Sequence, residues 1–163
     1  MSFTVKKGEP QDTELIFKFI CELAEYEKLR HDVTATVEVL HDSLFVRKSA
    51  EVLIGYQDEV PAGFALFFHN FSTFKGRACL YLEDIFISPQ FRGKGYGKRL
   101  FNELASIAVE RNCDRFDWAV LDWNQPAIGF YKSLGAKAMD DWTVFRLEGE
   151  VLGKVANKQF KTQ

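Results

Sequence analysis

No apolar run in these 163 residues approaches the roughly 20 needed to cross a bilayer, so a membrane-spanning helix is excluded and no membrane partner is expected. The opening stretch, Met1-Ser2-Phe3-Thr4-Val5-Lys6-Lys7, lacks the hydrophobic segment of a secretory signal and reads as a strand. Cysteine is scarce: Cys21, Cys79 and Cys113 are odd in number, scattered and without a CxxC pair. A disulfide framework is thereby excluded, and reduced thiols in a cytoplasmic protein are expected. His31, His41 and His69 form no ligand spacing with those cysteines, and no metal is expected. Neither sign of charge dominates, with 21 Lys and Arg against 23 Asp and Glu and a net charge of -2, which argues against a general nucleic-acid binder.

Apolar residues are plentiful, at 47% of the chain with 16 Phe, enough for a packed core. Without a repeat, low-complexity segment or linker, one domain over residues 1–163 is expected. Residues 3–7 read as a strand. Asp12 can cap a helix to about Lys28 whose apolar face holds Leu15, Ile16, Phe19, Ile20, Leu23 and Ala24. Thr36–Val46 reads as a second helix. Strands Glu51–Gln57 and Ala62–His69 flank a turn at Asp58-Glu59-Val60-Pro61. Ala78–Ser88 is nearly continuous in hydrophobicity and reads as a central strand.

A helix follows from about Lys98 to Arg111, with Leu100, Phe101, Leu104, Ala105 and Ala108 on one side. Phe116–Leu121 reads as a further buried strand, and a helix from Asn124 ends at Gly135. Thr143–Leu147 reads as a late strand and Glu150–Lys158 as a short helix. The order β-α-α-β-β-β-α-β-α-β implies a mixed α/β sheet with helices on both faces.

The most informative stretch is Arg92-Gly93-Lys94-Gly95-Tyr96-Gly97-Lys98-Arg99, between the apolar strand and its helix. Alternating glycines let main-chain N–H groups turn toward one point without Cβ obstruction. The helix N-terminus adds about half a positive charge, and Arg92, Lys94, Lys98 and Arg99 add full ones. That is the chemistry of a diphosphate cradle; a Gly-rich turn with solvated basic residues is the plain alternative. A P-loop is rejected because Arg92 and Arg99 stand where Gly and Ser or Thr are needed. A dinucleotide fingerprint is rejected because Lys98 stands where a third small residue is needed.

What remains is Arg-x-x-Gly-x-Gly at Arg92, Gly95 and Gly97, which resembles the acyl-CoA motif of the GCN5-related N-acetyltransferases. Tyr81-Leu82-Glu83-Asp84, Leu121-Asp122-Trp123-Asn124-Gln125-Pro126, Phe130-Tyr131-Lys132-Ser133-Leu134-Gly135-Ala136 and Leu23-Ala24-Glu25-Tyr26-Glu27 extend the likeness. Together they resemble the diamine (spermidine/spermine) branch and its thialysine-acetylating relatives, from about Val5 to Gly149. Polyamine enzymes carry a further acidic position where Asn70-Phe71-Ser72-Thr73-Phe74-Lys75 has none, so the likeness leans toward the thialysine branch.

The resemblance implies a mostly antiparallel sheet splayed at an acetyl-CoA site. It places Ile85, Phe86 and Ile87 along the pantetheine arm and Arg92, Gly93, Lys94, Gly95, Tyr96, Gly97 and Lys98 at the diphosphate. Asn124, Pro126 and Tyr131 complete the cofactor contacts. It also implies a homodimer. An ordinary ladder without a splay, and Asn124 as a helix cap alone, are the structural alternatives.

Acetyl transfer to an alkylammonium needs a base, because removing its proton at pH 7 costs roughly 4–5 kcal/mol for a pKa near 10.4. Glu83 is the candidate base, directly or through a water, since a carboxylate buried in an apolar strand has its pKa raised. Tyr131, with a phenolic donor, is the candidate acid for the departing sulfur. In a regular strand Asp84 faces the opposite side of the sheet from Glu83. Tyr26, Glu27, Glu83, Asp84, Asp141 and Trp142 are candidates for binding a cationic amine through carboxylates and ring faces. Each has a bland reading as a surface charge or a core aromatic. No cysteine occupies a motif position, so direct transfer is expected rather than a covalent acetyl-enzyme. A non-catalytic acyl-CoA sensor, and acetylation of protein lysines or N-termini, are the competing functions.

Overall fold

A computed structural model describes residues 1–158. It falls into two compact units, residues 1–119 and residues from 120 onward. The first unit is a five-stranded sheet in the order β1-β2-β3-β4-β5, formed by Phe3–Lys7, Glu51–Gln57, Val60–Ser72, Arg77–Ile87 and Phe116–Trp118. The first three pairings are antiparallel and β4–β5 is parallel, giving the mixed, mostly antiparallel sheet expected.

Helix α1 (Thr13–Tyr26) lies on one face, where Ile16, Phe19 and Leu23 pack with Leu44, Val52, Ile54, Phe64 and Phe86. Phe19 stacks on Phe64 with ring centres 5.6 Å apart. The short helix α2 (Val37–His41) is capped by Thr36, whose hydroxyl accepts from Val39 N–H, and continues through a π-turn to Val46. On the opposite face lies α3 (Tyr96–Glu110), burying Leu100, Phe101, Leu104 and Ala108. Its Tyr96 ring stacks on Phe3 at 4.1 Å, and Phe101 meets Phe116 and Trp118 of β5 at 4.7 and 4.9 Å. Helices therefore cover both faces, each held by a stripe that the 3.6-residue period places on one side.

Several boundaries differ from expectation. Asp12 stands at the N-cap position of α1 but makes no side-chain cap hydrogen bond to it: its carboxylate accepts from Glu9 N–H at 2.8 Å and closes a 3₁₀ turn ahead of the helix. The β2–β3 turn is only Asp58-Glu59, both left-handed at φ 47° and 68°, so Val60 and Pro61 already belong to β3. Asp58 is held there by accepting from Ser2 N–H at 2.8 Å. The strand expected over Phe116–Leu121 stops at Trp118 and is half-buried rather than buried.

In the second unit, α4 (Gln125–Ser133) and α5 (Gly149–Ala156) match expectation, with Gly135 left-handed at φ 89° after α4. The strand expected over Thr143–Leu147 is absent among the described residues. Its alternation is strand-like, but a strand needs a ladder partner, and here Val144 and Phe145 stand exposed without one.

Candidate active site

Pairing between β4 and β5 is confined to Leu80, Tyr81 and Leu82 against Phe116, Asp117 and Trp118. Beyond Leu82 the ladder gives β4 a neighbour on one side only, β3. Ser88 N–H donates to Ala62 O on that β3 side at 2.9 Å. By strict alternation the polar groups of Phe86 also face β3, while those of Ile85 and Ile87 face the open edge. Among the described residues β4 therefore has an unpaired edge here, and within Ile85–Ile87 it is Ile85 and Ile87 that present main-chain groups to it. The Phe86 ring instead enters the α1 core.

The loop beyond this edge is shaped by Gly93 and Gly95, left-handed at φ 77° and 78°. Gly95 is the N-cap of α3, and a Cβ built on either glycine meets nothing within 4 Å. The loop therefore presents open space in front of a helix N-terminus, the arrangement that lets main-chain N–H groups reach an anion. This geometry fits the diphosphate of coenzyme A, and the open edge of β4 fits its pantetheine arm.

The loop is anchored by a residue that sequence reasoning missed. Gln57, ahead of the hairpin turn, accepts from Lys94 Nζ at 2.8 Å and from Tyr96 hydroxyl at 2.7 Å on the same oxygen. No sequence signal marks it, because its role exists only once β2 lies beside α3. Tyr96 is buried, and its hydroxyl shares that Gln57 oxygen with Lys94. Gly97 lies within α3, over Ile87, and Lys98 is exposed.

The carboxylates are not disposed as expected. Glu83, expected to be buried, is exposed, and Asp84 is half-buried, the more enclosed of the two. The cause is a β-bulge: Leu66 pairs with Asp84 and Phe67 with Leu82, leaving Glu83 as the extra residue. The bulge shifts side-chain alternation by one, so Asp84 joins Phe86 on the α1 face instead of following Leu82 to the other. There burial, then Glu83, then Glu27 push the Asp84 carboxyl up to about 7. Burial also raises the Glu27 carboxyl. Tyr26, Glu27, Glu83 and Asp84 are thus gathered at one end of α1, beside the open strand edge.

Asn124, Pro126, Tyr131, Asp141 and Trp142 belong to the second unit. Asn124 caps α4 by accepting from Ala127 N–H at 3.4 Å, and Pro126 occupies its first turn, where a missing N–H costs nothing. Tyr131 lies on α4 with Phe130 beside it at 5.5 Å, and burial raises its phenol. Asp141 and Trp142 sit in an exposed turn.

An open strand edge beside a glycine loop at a helix N-terminus suits an acyl-CoA-dependent transferase. The description "Acetyltransferase (GNAT) family" matches residues 16–136, and the chain belongs to that family and is an N-acyltransferase. It is similar to a thialysine N-epsilon-acetyltransferase of Sus scrofa, 36% identical over 96% of this chain and 99% of that protein. It is also similar to the L-ornithine N5-acetyltransferase NATA1 of Arabidopsis thaliana, 28% identical over 91% of this chain and 85% of the relative. Among solved structures, an integron cassette protein from V. cholerae superposes with a TM-score of 0.79 at 32% identity, covering 96% of this chain and 98% of the other. Enzymes of this family use acetyl-CoA.

Proposed function

We propose that this enzyme acetylates the primary amine of a small molecule carrying an aminoalkyl side chain, as thialysine and ornithine do, by direct transfer from acetyl-CoA. The observation that supports it best is the gathering of Glu27, Glu83 and Asp84 beside the open end of β4. Anionic and aromatic groups there suit an alkylammonium, and the names of two relatives point to such amines.

Acetyl-CoA supplies an activated thioester. Main-chain amides of residues 93–98 and the α3 N-terminus hold its diphosphate, Ile85 and Ile87 pair with the arm, and Asn124 and Pro126 add contacts. Glu83 takes a proton from the ammonium, directly or through a water. Tyr131 gives its phenolic proton to the departing sulfur, and burial keeps that phenol protonated at neutral pH. Tyr26, Glu27, Asp84, Asp141 and Trp142 orient the amine. In this reading the whole chain acts as one catalytic domain and works as a cytoplasmic homodimer.

The test is acetyl-CoA turnover across short amines of graded length and charge, joined with calorimetry of coenzyme A. Tyr131→Phe should lower kcat about 100-fold while coenzyme A affinity holds. Glu83→Gln should shift the acidic limb of the pH–rate profile, where activity rises as the base loses its proton. Coenzyme A binding without acetylation of any amine would turn the reading toward a sensor, and unchanged turnover in Tyr131→Phe would remove the acid.

A further inference from the structure

Arg92 is the first residue of the phosphate-loop motif, and its charge suggests a diphosphate ligand. Its side chain is directed elsewhere. The Nε–H donates to Ile87 O at 2.8 Å, the last carbonyl of β4 and one that faces the open edge. The guanidinium carbon stands 4.8 Å from the ring centre of Tyr26 and 5.3 Å from that of Phe86. One side chain therefore touches three elements: its own loop, the end of β4 and the end of α1.

Tyr26 is the last residue of α1, with 40% of its surface exposed. Two residues on, Lys28 is left-handed at φ 62° and the chain reverses. Between them stands Glu27, whose charge is felt by Asp84 across the sheet face. Whatever holds the Tyr26 ring sets where Glu27 stands relative to Asp84. A guanidinium can bond a carbonyl through its edge and stack on a ring through its face at once; an ammonium cannot do both.

We propose that the Arg92 side chain is a positioning residue for the amine, clasping the last turn of α1 to the end of β4, while the diphosphate is held by main-chain amides. The clasp also occupies the Ile87 carbonyl, leaving the groups of Ile85 and the Ile87 N–H for the pantetheine arm. This rests on the reading above that Tyr26, Glu27 and Asp84 receive the amine.

The experiment compares wild type, Arg92→Lys, Arg92→Ala and Tyr26→Leu. It measures coenzyme A dissociation constants by calorimetry, KM and kcat for thialysine at saturating acetyl-CoA, and hydrogen exchange of residues 23–28. Both Arg92 variants should bind coenzyme A within about threefold of wild type yet raise the amine KM about tenfold or more, with Lys giving no rescue. Exchange at residues 23–28 should quicken in Arg92→Lys and in Tyr26→Leu alike, because both remove one contact. The clasp is overturned if Arg92→Ala loses coenzyme A affinity about tenfold, Lys restores it and the amine KM is unmoved. It is equally overturned if exchange is unchanged in Arg92→Lys. Wild type that takes up no coenzyme A, or that leaves thialysine unacetylated, instead sinks the functional reading beneath it.

Discussion

Asp84 lies on the α1 face of the sheet with Glu83 and Glu27 near it, and its carboxyl titrates near 7 instead of at the ordinary 3.8. Below 3.8 the folded and unfolded chains both hold the proton, so the group contributes no difference. As pH rises toward 7 the unfolded chain releases the proton freely while the folded one resists, and stability is lost. Asp84→Asn should flatten the thermal-unfolding profile across that window and raise stability at pH 8 by at most about 4 kcal/mol. Parallel wild-type and variant profiles from pH 4 to 8 would refute this placement of the charge. Gly95 makes a second point at this scale. Its φ of 78° strains any other residue, and a methyl there enters the space in front of the α3 N-terminus. Gly95→Ala should cost roughly 1 kcal/mol of stability but at least tenfold in coenzyme A affinity, read by calorimetry beside a melting curve. A variant that melts lower and binds normally would show the glycine to serve the turn alone.

At the scale of elements, β4 carries the site. Its first half is paired on both sides and its second half on one, so in the proposed reading a single strand is both core scaffold and ligand edge. Amide exchange at Ile85 and Ile87 should be fast in the free protein and slow on adding coenzyme A, while Phe86, already paired to β3, changes little. Equal protection of all three before ligand would mean that the edge is not open. The strand itself was readable from Ala78–Ser88 because its hydrophobicity is nearly unbroken. The bulge at Glu83 was not: nothing local distinguishes it, and it arises from fitting β4 to the register of β3. For the same reason Glu83, expected to be buried, is exposed, while Asp84 turns toward the α1 face. The Thr143–Leu147 segment shows the opposite failure, a local pattern with no partner strand to complete it.

At the scale of the molecule, no helix among the described residues is long and apolar enough to cross a membrane. Much of the apolar surface after residue 120 is uncovered, including Trp142 at 76% and Phe145 at 92% exposure. The proposed homodimer is tested by its mass. Light scattering over a dilution series should give about 38 kDa, twice the 18.8 kDa of the chain, as expected for a two-fold homo-oligomer. A mass of one chain at all concentrations would remove the dimer.

The motifs were visible in the bare chain because they are local. Glycine spacing, a helix start and an apolar strand act over a few neighbouring residues, and they sufficed for the family and the mixed sheet. Which carboxylate is the more enclosed, how Gln57 braces the loop, and where the Arg92 side chain turns were decided only by tertiary packing. Those outcomes depend on register and on contacts between residues as much as 66 positions apart, as Arg92 and Tyr26 are, and no short window of sequence contains both partners.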